Sequence, residues 1–429
     1  YTWNISSGGL PSGLTLNPST GIISGVPAAV GTNSFTASVT DAGSFVYSKS
    51  LSITVNPAPA DTTPPTITAF PAGGTYVSPQ NVTLIPDEPA TIYYTTDGTT
   101  PTTSSPVFIT PIRVSTSLTL KYFGVDAAGN TGAVQAQIYT VTGTGGEAWA
   151  WGSNGYGLLG DGTTIQKSTP VQVSGLTGAV VVAGGWYHTI ALKSNGTVWA
   201  WGKGLEGQLG DGTWTNRATP VQVSGLTGVV AITGGMYHSI ALKSDGTVWA
   251  WGSNNSGRLG DGTTTSRATP VQVSGLTGVV AVAGGGWHSL AMKNDGTVWA
   301  WGGNGTGQLG DGTTTDRYTP VQVSGLAGVI AIAGGEFHSI SLKNDGTVWA
   351  WGQDGTWANR ATPVQVSGLT GVVAIAGGGR HSLALKSDGT VWAWGDNFNG
   401  QLGDGTTTDR YTPVQVSGLT GVVAIAGGG

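Results

Sequence analysis

The pattern W-A-W-G recurs at Trp149/Trp151, Trp199/Trp201, Trp249/Trp251, Trp299/Trp301, Trp349/Trp351 and Trp392/Trp394, taking most of the 17 tryptophans into one motif. A histidine keeps the same time at His188, His238, His288, His338 and His381, with spacings of 50, 50, 50 and 43 residues. A period of this size marks a propeller or solenoid, whose units bury their apolar faces only against one another. Short alternating runs select the all-β form.

One period shows the expected strands. VVAI at 229–232 is a short apolar strand, and Gly234–Gly235 would let the chain turn tightly into HSIALK at 238–243. Asp245–Gly246, flanked by alternating residues, predicts a two-residue hairpin with a primed turn into TVWAWG. Ile240 and Leu242 share one face, as do Trp249 and Trp251. Ala268 to Val273 can form an outer strand, with Pro270 at the blade rim where a missing amide is tolerated. The fifth unit is short: Trp351 to Pro363 spans 12 positions where Trp251 to Pro270 spans 19, a loop deletion that a propeller tolerates. The first unit starts at Glu147 without a hairpin partner for its W-A-W strand, and the last stops before the next histidine strand. The polypeptide is therefore expected to continue past Gly429.

Composition narrows the function classes. Gly 74 and Pro 20 in 429 residues argue against a helical bundle, and so much tryptophan argues against disorder. The absence of cysteine removes disulfides, thiol nucleophiles and Cys-ligated zinc. A net charge of −5 without a basic stripe disfavours nucleic acid. No apolar run is long enough to span a bilayer.

The units G-G-x-x-H-S-x-A-L-K-x-D-G-T-V-W-A-W-G at 234–252 and G-x-L-G-D-G-T at 257–263 resemble repeats of the regulator of chromosome condensation family, over residues 147–429. The resemblance implies a β-propeller, seven-bladed in most members and closed by pairing of the chain ends. The eukaryotic founder exchanges nucleotide on a small GTPase and touches chromatin, and many relatives serve as protein-binding platforms. Residues 1–56, with GLPSGLTLNPSTGIISGVP, read as an immunoglobulin-like sandwich and resemble tandem modules of large bacterial surface proteins. A Pro-rich linker at 57–65 follows, stiff enough to keep its neighbours apart. Residues 66–141, with ATIYYTTDGTTPT and LKYFGVDAAGNTG, form a second small sandwich. They resemble the C-terminal β module of chitobiases, which accompanies catalytic domains without being one. Its Tyr93, Tyr94 and Tyr122 could face a sugar, although alternation puts one of Tyr93 and Tyr94 in the core.

Chemistry is sparse. One histidine per blade cannot converge on a shared metal, so His188, His238, His288, His338 and His381 read as structural, bonding across a turn or blade interface. Asp161, Asp211, Asp261, Asp311 and Asp404, in G-D-G-T loops, read as turn formers, with calcium the alternative; no cofactor is otherwise expected. The informative positions are those that vary on a constant scaffold. Tyr187, Tyr237, Trp287, Phe337 and Arg380 precede the histidines, and Trp186, Met236, Gly286, Glu336 and Gly379 stand one place earlier. Either they form an aromatic-rich surface for a protein or polysaccharide ligand, or the rings cover the blade ends. Tyr156, Glu206, Ser256, Thr306 and Phe398 vary in the following loops. The expectation is a noncatalytic binding or scaffold protein, extracellular or on the cell surface, with the sandwiches as spacers in an open rod. An accessory region of a larger carbohydrate-active enzyme is the alternative, and exchange on a small GTPase the third reading.

Overall fold

Alternation in HSIALK and TVWAWG becomes strands His238–Lys243 and Val248–Gly252, which pair antiparallel with His238 opposite Gly252 and Leu242 opposite Val248. The apolar run before them forms strand Val229–Gly234, and Arg267–Gln272 adds the rim, giving one four-stranded sheet in sequence order. The computed structural model describes residues 1–57, 61–76, 80–109, 111–114, 116–141, 146–353 and 359–428. Among them the pattern repeats as four-stranded sheets at 179–222, 229–272, 279–322, 329–365 and 372–415, after a two-stranded sheet at 149–172. This is a β-propeller of repeated four-stranded sheets, and the inner strands line a central channel of about 420 Å³.

In the five four-stranded sheets the second tryptophan of the pair is the wedge between sheets, whereas Trp149 and Trp151 of the first unit are exposed. Trp251 is fully buried among Ile190, Leu192, Val198 and Leu209 of the preceding sheet, as Trp301 is against Ile240, Val248 and Leu259. The first stays half-buried under a lysine: Lys243 Nζ lies 5.7 Å from the Trp249 ring centre, and the indole N–H donates to Thr247 Oγ1 at 3.2 Å.

Two local expectations need correction. The hairpin is a three-residue loop, Ser244-Asp245-Gly246, in which Lys243 N–H donates to the Thr247 carbonyl and only Gly246 takes a positive φ, +77°. Asp245 explains the choice: its Oδ1 accepts from Thr247 N and Oγ1, which suits a turn closed by one left-handed residue better than a primed pair. Gly234 and Gly235 do not adopt left-handed backbone. They are small because a Cβ on Gly234 would meet the Gly185 backbone of the neighbouring sheet, and one on Gly235 would strike the His238 ring. In the shortened fifth unit, strand Asn359–Gln365 still completes its sheet and gains the pair Gln353 and Asn359. Residues 354–358 of that loop lie outside the described residues.

The chain divides into two compact units, Tyr1–Thr63 and Pro64–Gly429. The first holds a sheet ordered Thr2–Gly8, Gly31–Thr40, Val46–Val55 and a small hairpin, Leu14–Leu16 with Ile23–Gly25. Part of the linker, residues 58–60, lies outside the described residues. The second unit opens with a sandwich of one three-stranded and one four-stranded sheet around Val82, Leu84, Leu120, Tyr122 and Tyr139. Tyr122 is therefore a core residue; Tyr94 packs on that core, while Tyr93 stacks on Phe123 at 5.4 Å on the other face of the strand. This module is not a free spacer. Its Phe70 and Ile85 pack with Val373, Leu385 and Val391 of the last four-stranded sheet. Among the described residues no helix is long and apolar enough to cross a membrane.

Candidate functional site

The strand pairing gives the propeller two ends. Inner strands finish at the glycine pairs and turn into the histidines at one mouth of the channel, where Gly185, Trp186, Gly286 and Gly379 are among its lining residues. The Asp-Gly hairpins lie at the other end.

Beneath the mouth, each histidine joins two sheets. His188 Nε2 is 2.8 Å from Ser239 Oγ, His238 Nε2 3.0 Å from Ser289, His288 Nε2 2.8 Å from Ser339 and His338 Nε2 2.9 Å from Ser382. Ser239, Ser289 and Ser339 each donate their own proton at 2.8 Å to the carbonyls of Gln208, Arg258 and Gln308. Each of these serines must therefore accept from its imidazole, which fixes the Nε2–H tautomer for His188, His238 and His288. The same three carbonyls accept the indole N–H of Trp251, Trp301 and Trp351 at 2.9 Å. Burial pushes His188 and His288 down to about 3, so these rings are neutral. His381 is also lowered, by burial first.

Above this layer stand the variable residues. Tyr187 and Tyr237, on adjacent sheets, stack with ring centres 5.3 Å apart, and Tyr156 meets Tyr187 edge-on at 6.1 Å. Lys203 Nζ sits over all three rings, at 5.9, 5.6 and 4.7 Å from Tyr156, Tyr187 and Tyr237, and 3.9 Å from Glu206. Burial, then the neighbouring Tyr187, raises the Tyr237 hydroxyl above its ordinary range, so it remains a donor. Farther round, the Trp287 ring lies over the buried Arg258 at 4.6 Å, and Arg380 covers Phe337 at 5.9 Å. Arg380 Nε also bonds the largely buried Glu336 at 2.9 Å. Trp186 lines the channel and donates its amide to Gly235 O at 3.3 Å. The rings Tyr187, Tyr237, Trp287 and Phe337 are all half-buried, with Arg380 exposed beside them.

Lys203 and Arg258 escaped the sequence reading, although both stand out when repeats are aligned. Lys203 occupies the place of Ser253, Gly303, Gln353 and Asp396, and Arg258 that of Gln208, Gln308 and Gln401. Burial pushes the Arg258 guanidinium down to about 10, still charged at neutral pH.

The G-D-G-T carboxylates are occupied by protein groups. Asp311 Oδ1 accepts from Thr313 N and Oγ1, and its Oδ2 meets Arg317 Nη2 at 2.6 Å; Asp211, Asp261 and Asp404 repeat the arrangement with Arg217, Arg267 and Arg410, and Asp161 with Lys167. Side chains Asn154, Asn254, Asn304 and Asn397 tie the same loops from within. These are loop closures.

The hairpin end carries the chitobiase-like module. Besides the Phe70 and Ile85 contact, Phe108 and Ile109 share a cleft with the turn at Asn294, Asp295 and Gly296, and residues 83–89 share one with the turn at 343–346.

Residues 1–56 match the Ig domain family, and 71–136 the Chitobiase/beta-hexosaminidase C-terminal domain. Among solved structures, yeast RCC1 (Prp20) bound to Kap60 aligns with a TM-score of 0.58 at 26% identity, over 66% of this chain and 76% of that one. Human WBSCR16 aligns at 0.60 and 22% identity, over 80% of this chain and 97% of that one. Prp20p of Saccharomyces cerevisiae, described with its binding to Gsp1p and histones, aligns at 0.56 and 20% identity, over 80% and 90%. The last two bear on fold alone. No curated protein matches the chain. The expected extracellular or cell-surface location is corrected by the first of these relatives: yeast RCC1 (Prp20) and the Kap60 named with it are nuclear or cytoplasmic proteins. The Regulator of chromosome condensation (RCC1) repeat matches at 145–192, 195–242, 245–292, 295–342 and 388–429, with a second description of it at 180–208, 229–258, 279–308 and 372–401. With those repeats covering more than half of its length and folded into four-stranded sheets clamped by histidine and tryptophan, the chain belongs to the RCC1 repeat family.

Proposed function

We propose that the propeller is a noncatalytic platform that holds a protein partner on the mouth bearing Tyr187, Tyr237, Trp287 and Phe337, with the modules divided at 1–56, 66–141 and 147–429. The carrying observation is the stack of Tyr187 on Tyr237 under Lys203. It presents flat, rigid apolar rings with a cation at their centre, the chemistry enriched in binding hot spots. Two facts support the choice of face. The hairpin end is partly occupied by the chitobiase-like module, and Tyr156, Tyr187 and Tyr237, from successive sheets, meet ring to ring at the mouth. A protein partner is favoured over a polysaccharide because a solved relative at 26% identity, yeast RCC1 (Prp20), is described bound to the protein Kap60.

The test compares the full chain with Tyr187→Ala/Tyr237→Ala and with Lys193→Ala, a change near the hairpin end. Quantitative co-purification should give partners that the double variant loses, roughly 10-fold or more per hot-spot ring, and that Lys193→Ala retains. Partners held equally by all three proteins would refute the mouth as the binding face. A nucleotide-release assay on a small GTPase separates exchange activity from binding alone.

A further inference from the structure

We propose that Arg258 and Trp287 form a carboxylate-binding site that takes a monoanionic carboxylate in preference to phosphate. At the equivalent place three other repeats carry Gln208, Gln308 and Gln401, whose Oε1 accepts the turn amide of Glu206, Thr306 or Asn399 at 2.9 Å, and the first unit carries the uncharged Leu158. Arginine has no acceptor to offer, so Arg258 cannot close its turn in this way. Its side chain is 0% exposed, and Nε, Nη1 and Nη2 have no hydrogen-bond acceptor among the described protein groups. The indole Nε1 of Trp287, whose ring lies 4.6 Å from the guanidinium, is likewise buried and unpaired. These neighbours present donors only. A buried charge without acceptors is among the most unfavourable arrangements in a fold, and an acidic ligand relieves it directly.

The geometry and charge favour a carboxylate. A guanidinium fork matches two carboxylate oxygens, and the indole N–H adds a donor beside it. Glu206 and Asp316 act on Arg258 through space but are committed elsewhere, Glu206 to Lys203 at 3.9 Å and Asp316 to the Asn304 amide at 2.8 Å. Two nearby anions penalise a dianion more than a monoanion. Trp287 is half-exposed and stands as the cover, and its flanking residues Gly286 and Gly303 carry no side chains to hold the ring in place. The carboxylate comes either from a small free acid or from an Asp or Glu side chain of a bound protein.

The experiment uses the full chain, Arg258→Gln and Arg258→Lys, with sodium acetate, a blocked tri-glutamate peptide and inorganic phosphate at matched ionic strength. The readouts are the Trp287 indole N–H resonance, assigned with Trp287→Phe, and the melting temperature. Acetate should shift the resonance saturably and raise Tm by about 1–3 °C. Arg258→Gln should abolish both responses, and Arg258→Lys should weaken affinity about 10-fold by losing the fork. Without carboxylate, Arg258→Gln should melt no lower than the natural chain, since glutamine restores the turn bond used in the other repeats. Saturation by the peptide at lower concentration than acetate assigns the site to a protein side chain, and the reverse order assigns it to a free acid. Phosphate matching acetate, responses that survive Arg258→Gln, or a large Tm loss in that variant would each overturn the proposal. Tyr187→Ala, at a ring that does not act on Arg258, should leave the acetate response intact, so failure of the platform reading and failure of this site are told apart.

Discussion

His288 is fully buried, donates Nε2–H to Ser339 and keeps its bare Nδ1 against Gly285, where no Cβ would fit. Its spacing was plain in the sequence, but its partner was not, because Ser339 is 51 residues away and belongs to the next sheet. Burial makes the ring a source of pH dependence. An unfolded imidazole titrates near 6.5, whereas His188 and His288 are held down to about 3. Between those values the unfolded chain binds the extra protons, so this stability is complete above about pH 6.5 and is lost as pH falls toward 3. Each ring contributes a slope of about 1.4 kcal/mol per pH unit in that window. His288→Gln should therefore lose about 2 kcal/mol less than the natural chain between pH 6.5 and 5, measured from urea unfolding at both values. Equal losses would show that this imidazole does not carry the charge-linked term.

At the scale of the element, the strands were legible because alternation states which side chains share a face, while the turns were not. Asp245–Gly246 reads as a primed two-residue turn, but the Asp245 side chain bonds Thr247 and selects a three-residue loop. The glycine pairs read as turn formers, yet tertiary approach decides them: a neighbouring backbone faces one and an imidazole the other. The paired tryptophans also divide in a way the motif hides. Trp251 fills the gap between two sheets with its N–H on Gln208 O, whereas Trp249 lies half-buried under Lys243. Trp251→Ala should cost about 3–5 kcal/mol by opening a cavity, and Trp249→Ala clearly less, by equilibrium unfolding of each variant. Similar costs for the two would mean that the wedge between sheets is not where the stability lies.

For the whole molecule, the decisive contact is the chitobiase-like module on the hairpin end, through Phe70 and Ile85 against Val373, Leu385 and Val391. Ile85→Asp puts an unpaired carboxylate into that apolar seam. Limited proteolysis of this variant should cut between the module and the propeller faster than in the natural chain, while the melting of the repeats changes by less than about 2 °C. An unchanged cleavage rate would mean the seam does not hold the module.

The sequence by itself determined the all-β repeat, the W-A-W and histidine strands and the row of variable aromatics, because these rest on periodicity and on which residues differ against a constant background. Only the tertiary structure decided which groups meet across sheets: His188 with Ser239, Tyr187 with Tyr237 and Lys203, Arg258 with Trp287, and the second module with one end of the ring. The physical reason is the length of the repeat. Partners about fifty residues apart are brought together by the stacking of whole sheets, so no local pattern encodes the contact.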